Sequence, residues 1–394
     1  MAPLIDVLMP VHNSAPFLAE AIRSIQMQTE ASWRLLILDD GSTDETIAIA
    51  SEFAARDPRI EIVRLPKRGL VPTLNDGLAC CTAPFIARQD GDDISFPNRF
   101  EIELDYLQHN PDCIAVSGGS VNVDARGKPL SVFSWSPDPD QSDPYWIPAR
   151  EPYLIHPFLM VRGDIFKRLG YRHFFICEDV DLCWRLQEIG VIKSLKQAMG
   201  YYRVHDNSVS INPPVNTRIQ SITAHLGAIG AQRRREGRGD LLIEAGLYGK
   251  MVEADDFRAI LEVFRPQLNP AEFRYLHAAS IVKLVETVTY RPSRINAEEL
   301  RMVYRELYNA AIGQWSGHDS TVDICCRAAT ALRKRGEPDL ARILAPGLWG
   351  WLIIRMRQIW LIPLTWYLPP LRPPAPGAHH ADPAYGSRPL GEQP

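Results

Sequence analysis

Three aspartates stand almost side by side in Asp90-Gly91-Asp92-Asp93, directly after the short apolar run Phe85–Gln89. Carboxylates crowded in this way repel one another unless a cation neutralises them. Hard divalent ions take oxygen ligands, and magnesium or manganese commonly bridges a carboxylate to substrate phosphates. An isolated Asp-Gly-Asp is common and is equally compatible with a solvated acidic turn. Two further acidic clusters share its setting. Asp39-Asp40-Gly41-Ser42-Thr43-Asp44 closes the apolar run Trp33–Leu38. A carboxylate there can accept from a ring N–H or a sugar hydroxyl. Ser42, Thr43 and Asp44 read as a turn and helix N-cap, whereas Asp39 and Asp40 exceed what a cap needs. Glu178-Asp179-Val180-Asp181 precedes a helical pattern carrying Leu182, Trp184 and Leu186. The helix dipole favours acids at an N-terminus, which is the reading for Asp181. Asp179 can instead face a cleft as a general base.

These clusters need strands and helices to hold them. Leu4–Met9, Trp33–Leu38, Ile60–Leu65 and Phe85–Gln89 are short apolar runs, the pattern of buried strands. Between them lie helical patterns at Ser14–Thr29, at a segment starting from Ser42 or Thr43 and running to about Arg56, and at Val71–Cys80. Ser14 is the candidate N-cap of the first. This alternation predicts an α/β fold with a parallel sheet covered by helices. Ligands in such sheets bind beyond the carboxyl ends of the strands, where all three acidic clusters fall. Farther on, Cys113–Ser117 and Val121–Asp124 read as two strands with Gly118-Gly119 as a turn. Ser136–Pro152 reads as a surface loop, Asp164–Leu169 and Val180–Glu188 as short helices, and Ile192–Tyr202 as a strand. Helices are predicted at Thr217–Arg234, Ala254–Val263, Pro270–Thr287, Ala297–Ala311 and Val322–Arg335.

Several motifs follow one another over roughly the first 210 residues. They are Pro10-Val11-His12-Asn13, Asp39-Asp40-Gly41-Ser42-Thr43-Asp44, Leu74-Asn75-Asp76-Gly77, Arg88-Gln89-Asp90-Gly91-Asp92-Asp93, His156-Pro157, Glu178-Asp179-Val180-Asp181-Leu182 and Tyr202-Arg203-Val204-His205. In this set and order the chain resembles the inverting nucleotide-sugar glycosyltransferases of family 2. The resemblance implies a GT-A fold, a Rossmann-like mixed sheet flanked by helices, followed here by a mainly helical C-terminal region. It implies a donor, expected to be a UDP-sugar, held by Pro10, His12, Asp40, Arg68 and Asp90. His12 stands where the family often has Tyr, and an imidazole can still stack on a base. It implies Mn2+ or Mg2+ held by Asp92, with Asp93 beside it and His205 as a further contact. Asp179 is then the catalytic base and Glu178 a supporting carboxylate. His156 falls on the acceptor side, where core packing is the alternative. The acceptor is expected to be a hydroxyl of a glycan or lipid-linked sugar in surface-polysaccharide assembly. A polyprenyl-phosphate glycosyltransferase and an inert nucleotide-sugar-binding protein are the competing readings.

The 394 residues are 46% hydrophobic and 23% charged, with a formal net charge of −4, an ordinary globular mix. Nothing in that balance calls for nucleic acid. Cys80, Cys81, Cys113, Cys177, Cys183, Cys325 and Cys326 lack any metal-binding spacing and suit free thiols in a reducing compartment. No secretory pattern is read at the start of the chain, so a cytoplasmic location is expected. Gly347–Leu368 carries Trp349, Trp351, Trp360, Trp366 and Tyr367 with Arg355 and Arg357 among them. Arginines at the centre argue against a membrane span. Aromatic and basic residues together suit peripheral contact with an anionic membrane surface. The expected layout is a catalytic domain over 1–212, a helical region over 213–346, the interfacial segment 347–368 and a disordered Pro-rich tail over 369–394.

Overall fold

The computed structural model describes residues 2–130, 133–174, 176–205, 215–244, 246–254, 256–290, 297–308 and 318–344. The interfacial segment Gly347–Leu368 and the Pro-rich tail lie outside the described residues. Chain order runs β1 (Ile5–Val11), α1 (Ala15–Gln26), β2 (Trp33–Asp40), α2 (Thr46–Ala54), β3 (Ile60–Leu65), α3 (Leu70–Cys80) and β4 (Phe85–Arg88). Then follow β5 (Ile94–Ser95), α4 (Arg99–His109), β6 (Cys113–Val123), β7 (Met160–Arg162), α5 (Gly163–Leu169), α6 (Glu178–Gln187) and β8 (Val191–Arg203). The rest is helical: α7 (Val215–Arg235), α8 (Leu247–Glu253), α9 (Phe257–Glu262), α10 (Pro270–Tyr290), α11 (Ala297–Tyr308), α12 (His318–Lys334) and α13 (Pro338–Leu344).

The strands form one sheet in the order β3-β2-β1-β4-β7-β6-β8-β5. β3, β2, β1 and β4 are parallel neighbours. β7 runs antiparallel to both β4 and β6, so β6 is again parallel to β4, and β8 is parallel to β6. The sheet is therefore mixed, the architecture the family resemblance implied, rather than the all-parallel sheet the alternation alone predicts. One consequence matters for function. The carboxyl ends of β1, β2, β4, β6 and β8 all leave along the same edge.

Both faces of the sheet are covered, so every residue of β1 is buried, including Asp6, which is ion-paired with Arg34. Successive side chains alternate between faces. Val7, Met9, Leu35 and Ile37 pack with Leu18, Ile22 and Ile25 of α1 and with Leu104 and Leu107 of α4. Leu8, Leu36 and Leu38 pack with Leu74 and Leu78 of α3, Phe166 of α5, and Leu182 and Leu186 of α6. The helical region has its own core, in which Ile219, Leu226 and Ile229 of α7 meet Leu276, Ile281 and Leu284 of α10 and Leu332 of α12. α6 lies between the two bodies. Its Leu182 and Leu186 face the sheet, while Val180 and Trp184 pack with Ala224 and Ala228 of α7. Gly227 permits this: a Cβ there would stand 3.2 Å from the Trp184 ring. Among the described residues no helix is long and apolar enough to cross a membrane.

Four expectations are corrected. Gly118 and Gly119 are not a turn but the middle of β6, which continues unbroken from Cys113 to Val123. They are glycines because a Cβ would come within 2.6 Å of Met199 at Gly118 and 2.2 Å of Phe133 at Gly119. The α2 cap is not Ser42 or Thr43, since α2 begins only at Thr46. Asp44 accepts from Thr46 N at 3.0 Å, while Ser42 Oγ accepts from Asn13 N. Ser14 does stand at the N-cap position of α1, but its side chain makes no capping bond. α6 starts at Glu178, not Val180, so both acids of the pair lie in its first turn.

Candidate active site

Building upward from β4, its last residue Arg88 carries a guanidinium that is fully buried at the strand end. Nη2 of Arg88 donates to Asp90 Oδ1 at 2.6 Å. The next residue, Gln89, donates to the carbonyls of Asp90 and Asp93 at 3.1 and 2.9 Å and so shapes the acidic turn from inside. Ser95 and Arg99 hold the Gln89 oxygen in turn. Gly91 is required by close approach, because a Cβ there would lie 2.8 Å from Val11 at the end of β1.

β8 clamps the same turn from the other side. Arg203 N donates to Asp93 Oδ1 at 2.7 Å, and Arg203 Nε donates to the Asp92 carbonyl at 2.8 Å. Two residues on, His205 Nε2 lies 2.9 Å from Asp92 Oδ2, with its ring 4.8 Å from that of Phe17. One oxygen from each of Asp90, Asp92 and Asp93 lies within 4.8 Å of the others. Buried Asp93 Oδ2 has no hydrogen-bond partner. Burial, followed by the charges of Asp92 and Asp90, pushes the Asp93 carboxyl well above its usual range. Burial also raises Asp90, against the pull of Arg88. Three converging carboxylates with an unsatisfied oxygen and a histidine at their rim are a donor set that fits a hard divalent cation.

Along the edge, β1 delivers buried Pro10 and, just beyond it, exposed His12. β2 delivers Asp40, which accepts from Arg68 N at 2.7 Å, Gly69 N at 3.0 Å and Lys67 Nζ at 3.0 Å. These three donors hold Asp40 below the usual carboxylate range despite its burial. Gly69 N also lies 3.2 Å from Asp40 Oδ1, so an incoming N–H or hydroxyl would share the carboxylate with these donors or displace exposed Lys67. Arg68 itself is ion-paired with Asp76 through its side chain, and its backbone is what reaches Asp40.

The charge of buried Arg88 acts on Glu178 as well as on Asp90. Glu178 is buried, and that burial, with the charge of Asp179 second, pushes its carboxyl up to about 8. Asp179 is half-buried, accepts from Val180 N at 2.8 Å and is hydrogen-bonded to the Tyr153 hydroxyl. Asp181 has a different part from the dipole role the sequence suggests. It is fully buried between Arg172 and Arg185, whose Nε atoms donate to its Oδ2 at 2.9 and 2.8 Å. His156 is buried, with Nε2 2.7 Å from the Tyr171 hydroxyl, and burial holds it well below its ordinary pKa. It is a neutral ring packed in the interior.

The structure thus brings Pro10, His12, Asp40, Asp90, Asp92 and His205 to one edge, with Glu178 and Asp179 beside it. Sequence reasoning missed Lys67, Arg88, Tyr153 and Arg203. For Arg88 a signal existed: it is a charge closing an otherwise buried strand.

Comparison with known proteins now bears on this geometry. The family model described as Glycosyl transferase family 2 matches residues 6–170. EpsE of Bacillus subtilis (strain 168), provisionally named a glycosyltransferase, is 33% identical over 214 residues, covering 52% of this chain and 74% of that protein. The O-antigen biosynthesis glycosyltransferase WbnJ of Escherichia coli is 30% identical over 210 residues, covering 52% of this chain and 81% of that one. Among solved structures, a mannosyltransferase from Pyrobaculum calidifontis in complex with GDP-Man and Mn2+ aligns with a TM-score of 0.48 at 16% identity, over 91% of this chain and 88% of that one.

Proposed function

Since this chain belongs to glycosyl transferase family 2 and is a glycosyl-transferring enzyme, we propose that it moves a sugar from a UDP-sugar to a hydroxyl of a glycan or lipid-linked acceptor, with inversion at the anomeric carbon. The name of the O-antigen relative supports a setting in surface-polysaccharide assembly. The catalytic unit is 1–212, followed by the helical region 213–346. The observation that carries the reading is the acidic turn itself, where one oxygen from each of Asp90, Asp92 and Asp93 lies within 4.8 Å of the others and His205 Nε2 stands 2.9 Å from Asp92.

Each group then has a task. His12 stacks on the base from the mouth of β1, backed by Pro10. Asp40, steadied by Lys67 and the Arg68–Gly69 backbone, accepts from the base or ribose. Arg68 extends that loop toward the donor. Asp90 is fixed by Arg88 toward the ribose or sugar. Asp92, with Asp90, Asp93 and His205 around it, would hold Mn2+ or Mg2+. When bound, that ion supplies neutralising charge for the diphosphate leaving group.

Asp179 accepts the proton of the acceptor hydroxyl as its oxygen attacks the anomeric carbon opposite the diphosphate. The carbon–oxygen bond to the diphosphate breaks as the new one forms, a single displacement that inverts the centre. Glu178, kept largely neutral by burial, does not compete for that proton. The Tyr153 hydroxyl orients Asp179. A phosphate acceptor would need no base, so this pair favours a hydroxyl. His156, buried against Tyr171, shapes the wall of the acceptor side without touching it through a charge. The chain works at the cytoplasmic face of a membrane, with Gly347–Leu368 in peripheral contact.

The test is turnover of the full chain with UDP- and GDP-sugars and Mn2+ or Mg2+. Donor hydrolysis releases a free sugar whose first-formed anomer is read by proton NMR. Release of the inverted anomer from a UDP-sugar is expected. Retention, or no release from any donor, overturns the reading.

A further inference from the structure

Beyond β6 the chain turns back along the strand it has just left. Asp124 N donates to Lys128 O and Leu130 N to Asn122 O, both at 2.8 Å, and Ser134 and Ser120 exchange backbone bonds at 2.7 and 2.8 Å. Of the exposed large hydrophobics among the described residues, three fall on this one short segment: Leu130 at 58% exposure, Phe133 at 43% and Trp135 at 37%. Such side chains face water at a cost unless something covers them.

The charge around them is basic in a chain whose net charge is −4. Arg126 and Lys128 are exposed on the turn. Lys196 Nζ sits 5.6 Å from the centre of the Trp135 ring. The acid of the segment, Asp124, accepts from the backbone N–H groups of Arg126 and Lys128, both at 2.9 Å, and is outnumbered by Arg126, Lys128 and Lys196. The neighbouring Lys193 and Asp138 neutralise each other.

The segment also has a fixed place relative to the acidic turn. β6 and β4 are parallel, so it leaves the same sheet edge. Arg203 joins the two directly, giving Nε to the Asp92 carbonyl at 2.8 Å and Nη1 to the Ala125 carbonyl at 3.0 Å.

We propose that residues 124–130 and 133–135 are a docking surface for an anionic lipid bilayer. Tryptophan, phenylalanine and leucine beside arginine and lysine are the composition that settles at a headgroup boundary. Basic side chains gain from an anionic leaflet and bring apolar ones to it. Leu130, the most exposed of the three apolar residues, suits acyl chains rather than a sugar. With this segment on the membrane, the catalytic edge faces the surface that would carry a lipid-linked acceptor. The surface is separate in sequence from Gly347–Leu368 and does not depend on which donor is used.

The experiment is sedimentation of the full chain with vesicles of phosphatidylcholine alone and of equal parts phosphatidylcholine and phosphatidylglycerol. Wild type binds the anionic vesicles and is released by salt. The Arg126→Gln/Lys128→Gln double variant binds them on the order of tenfold more weakly or worse. The Leu130→Ser/Phe133→Ser/Trp135→Ser variant loses binding to a similar degree. Because Phe133 covers Gly119, the charge variant carries the test if the triple variant unfolds. Donor hydrolysis by the charge variant stays at the wild-type rate, which separates failure here from failure of the proposed reaction. Wild type that ignores anionic vesicles overturns the proposal. So do variants that bind as wild type does, which would put the contact in Gly347–Leu368. A change in molecular mass by light scattering would instead make the patch a contact between copies of the chain.

Discussion

His205 and Asp92, 113 positions apart in the chain, meet with Nε2 2.9 Å from Oδ2. β8 makes the meeting by running parallel to β6 and ending beside the acidic turn that follows β4. Phe17 of α1 backs the His205 ring, and Arg203 anchors the turn's backbone two residues earlier. The acidic turn is therefore held from both strands that frame it, which is what a preorganised ion site requires.

Asp92→Asn tests that site. The amide keeps the shape but removes a charged ligand, so turnover falls by orders of magnitude. The shift in melting temperature that Mn2+ gives wild type is lost, while circular dichroism stays native. Near-wild-type turnover would remove Asp92 from the metal assignment.

Asp181 and Asp179 lie two positions apart yet have opposite expected phenotypes. Asp181 is buried between two arginines, so Asp181→Asn leaves buried positive charge uncompensated. Breaking such a pair costs about 3–5 kcal/mol. Urea unfolding shows that loss for Asp181→Asn and little change for half-buried Asp179→Asn. Equal stability of the two variants would contradict the ion-pair role.

How far these roles were legible varies by residue. Val7, Met9, Leu35 and Ile37 announce their strands because apolar runs closed by turn residues leave few other readings. The carboxylates at the strand ends were legible for the same reason. Asp181 was misread because its partner Arg172 lies in an irregular segment that no periodicity brings near it. Gly118-Gly119 looked like a turn because nothing local reports that Met199 and Phe133 press on them from elsewhere. α4 was missed since its outward face is polar and its inward face carries Arg99 and Glu103, a buried pair whose further partners at Arg88, Gln89 and Ser95 nothing local reports. Lys67 gave no local sign of its ion pair with Asp40.

Stability should depend on pH through Glu178. Its carboxyl moves from the usual 4.5 up to about 8 in the fold, because burial disfavours the charged form. The native state thus binds this proton more tightly than the unfolded chain. Its contribution is full below about pH 4.5 and is lost as pH rises through about 8. Glu178→Gln stays neutral and should flatten that decline in melts taken across this range. Glu103, pushed up to about 7, adds a smaller total loss of the same sign over a narrower range. An unchanged profile in the variant would show that Glu178 is ionised in the fold.

Removing the chain from Gly347 onward should move protein from the membrane fraction toward the soluble one, since aromatic and basic residues are lost together. High salt should partly release the intact chain as well. Intact protein found wholly in the soluble fraction at low salt would contradict peripheral contact.

The most direct measurement on the central claim compares Asp179→Asn with wild type in calorimetric donor binding and in turnover. The variant preserves size but cannot take the acceptor proton. A lost general base costs about 10²–10⁴-fold in rate. Donor affinity should stay near wild type, because Asp40, Asp90 and Asp92 are untouched, whereas Asp40→Ala should weaken donor binding first. Retained turnover in Asp179→Asn, or a large loss of its donor binding, would show that the base lies elsewhere.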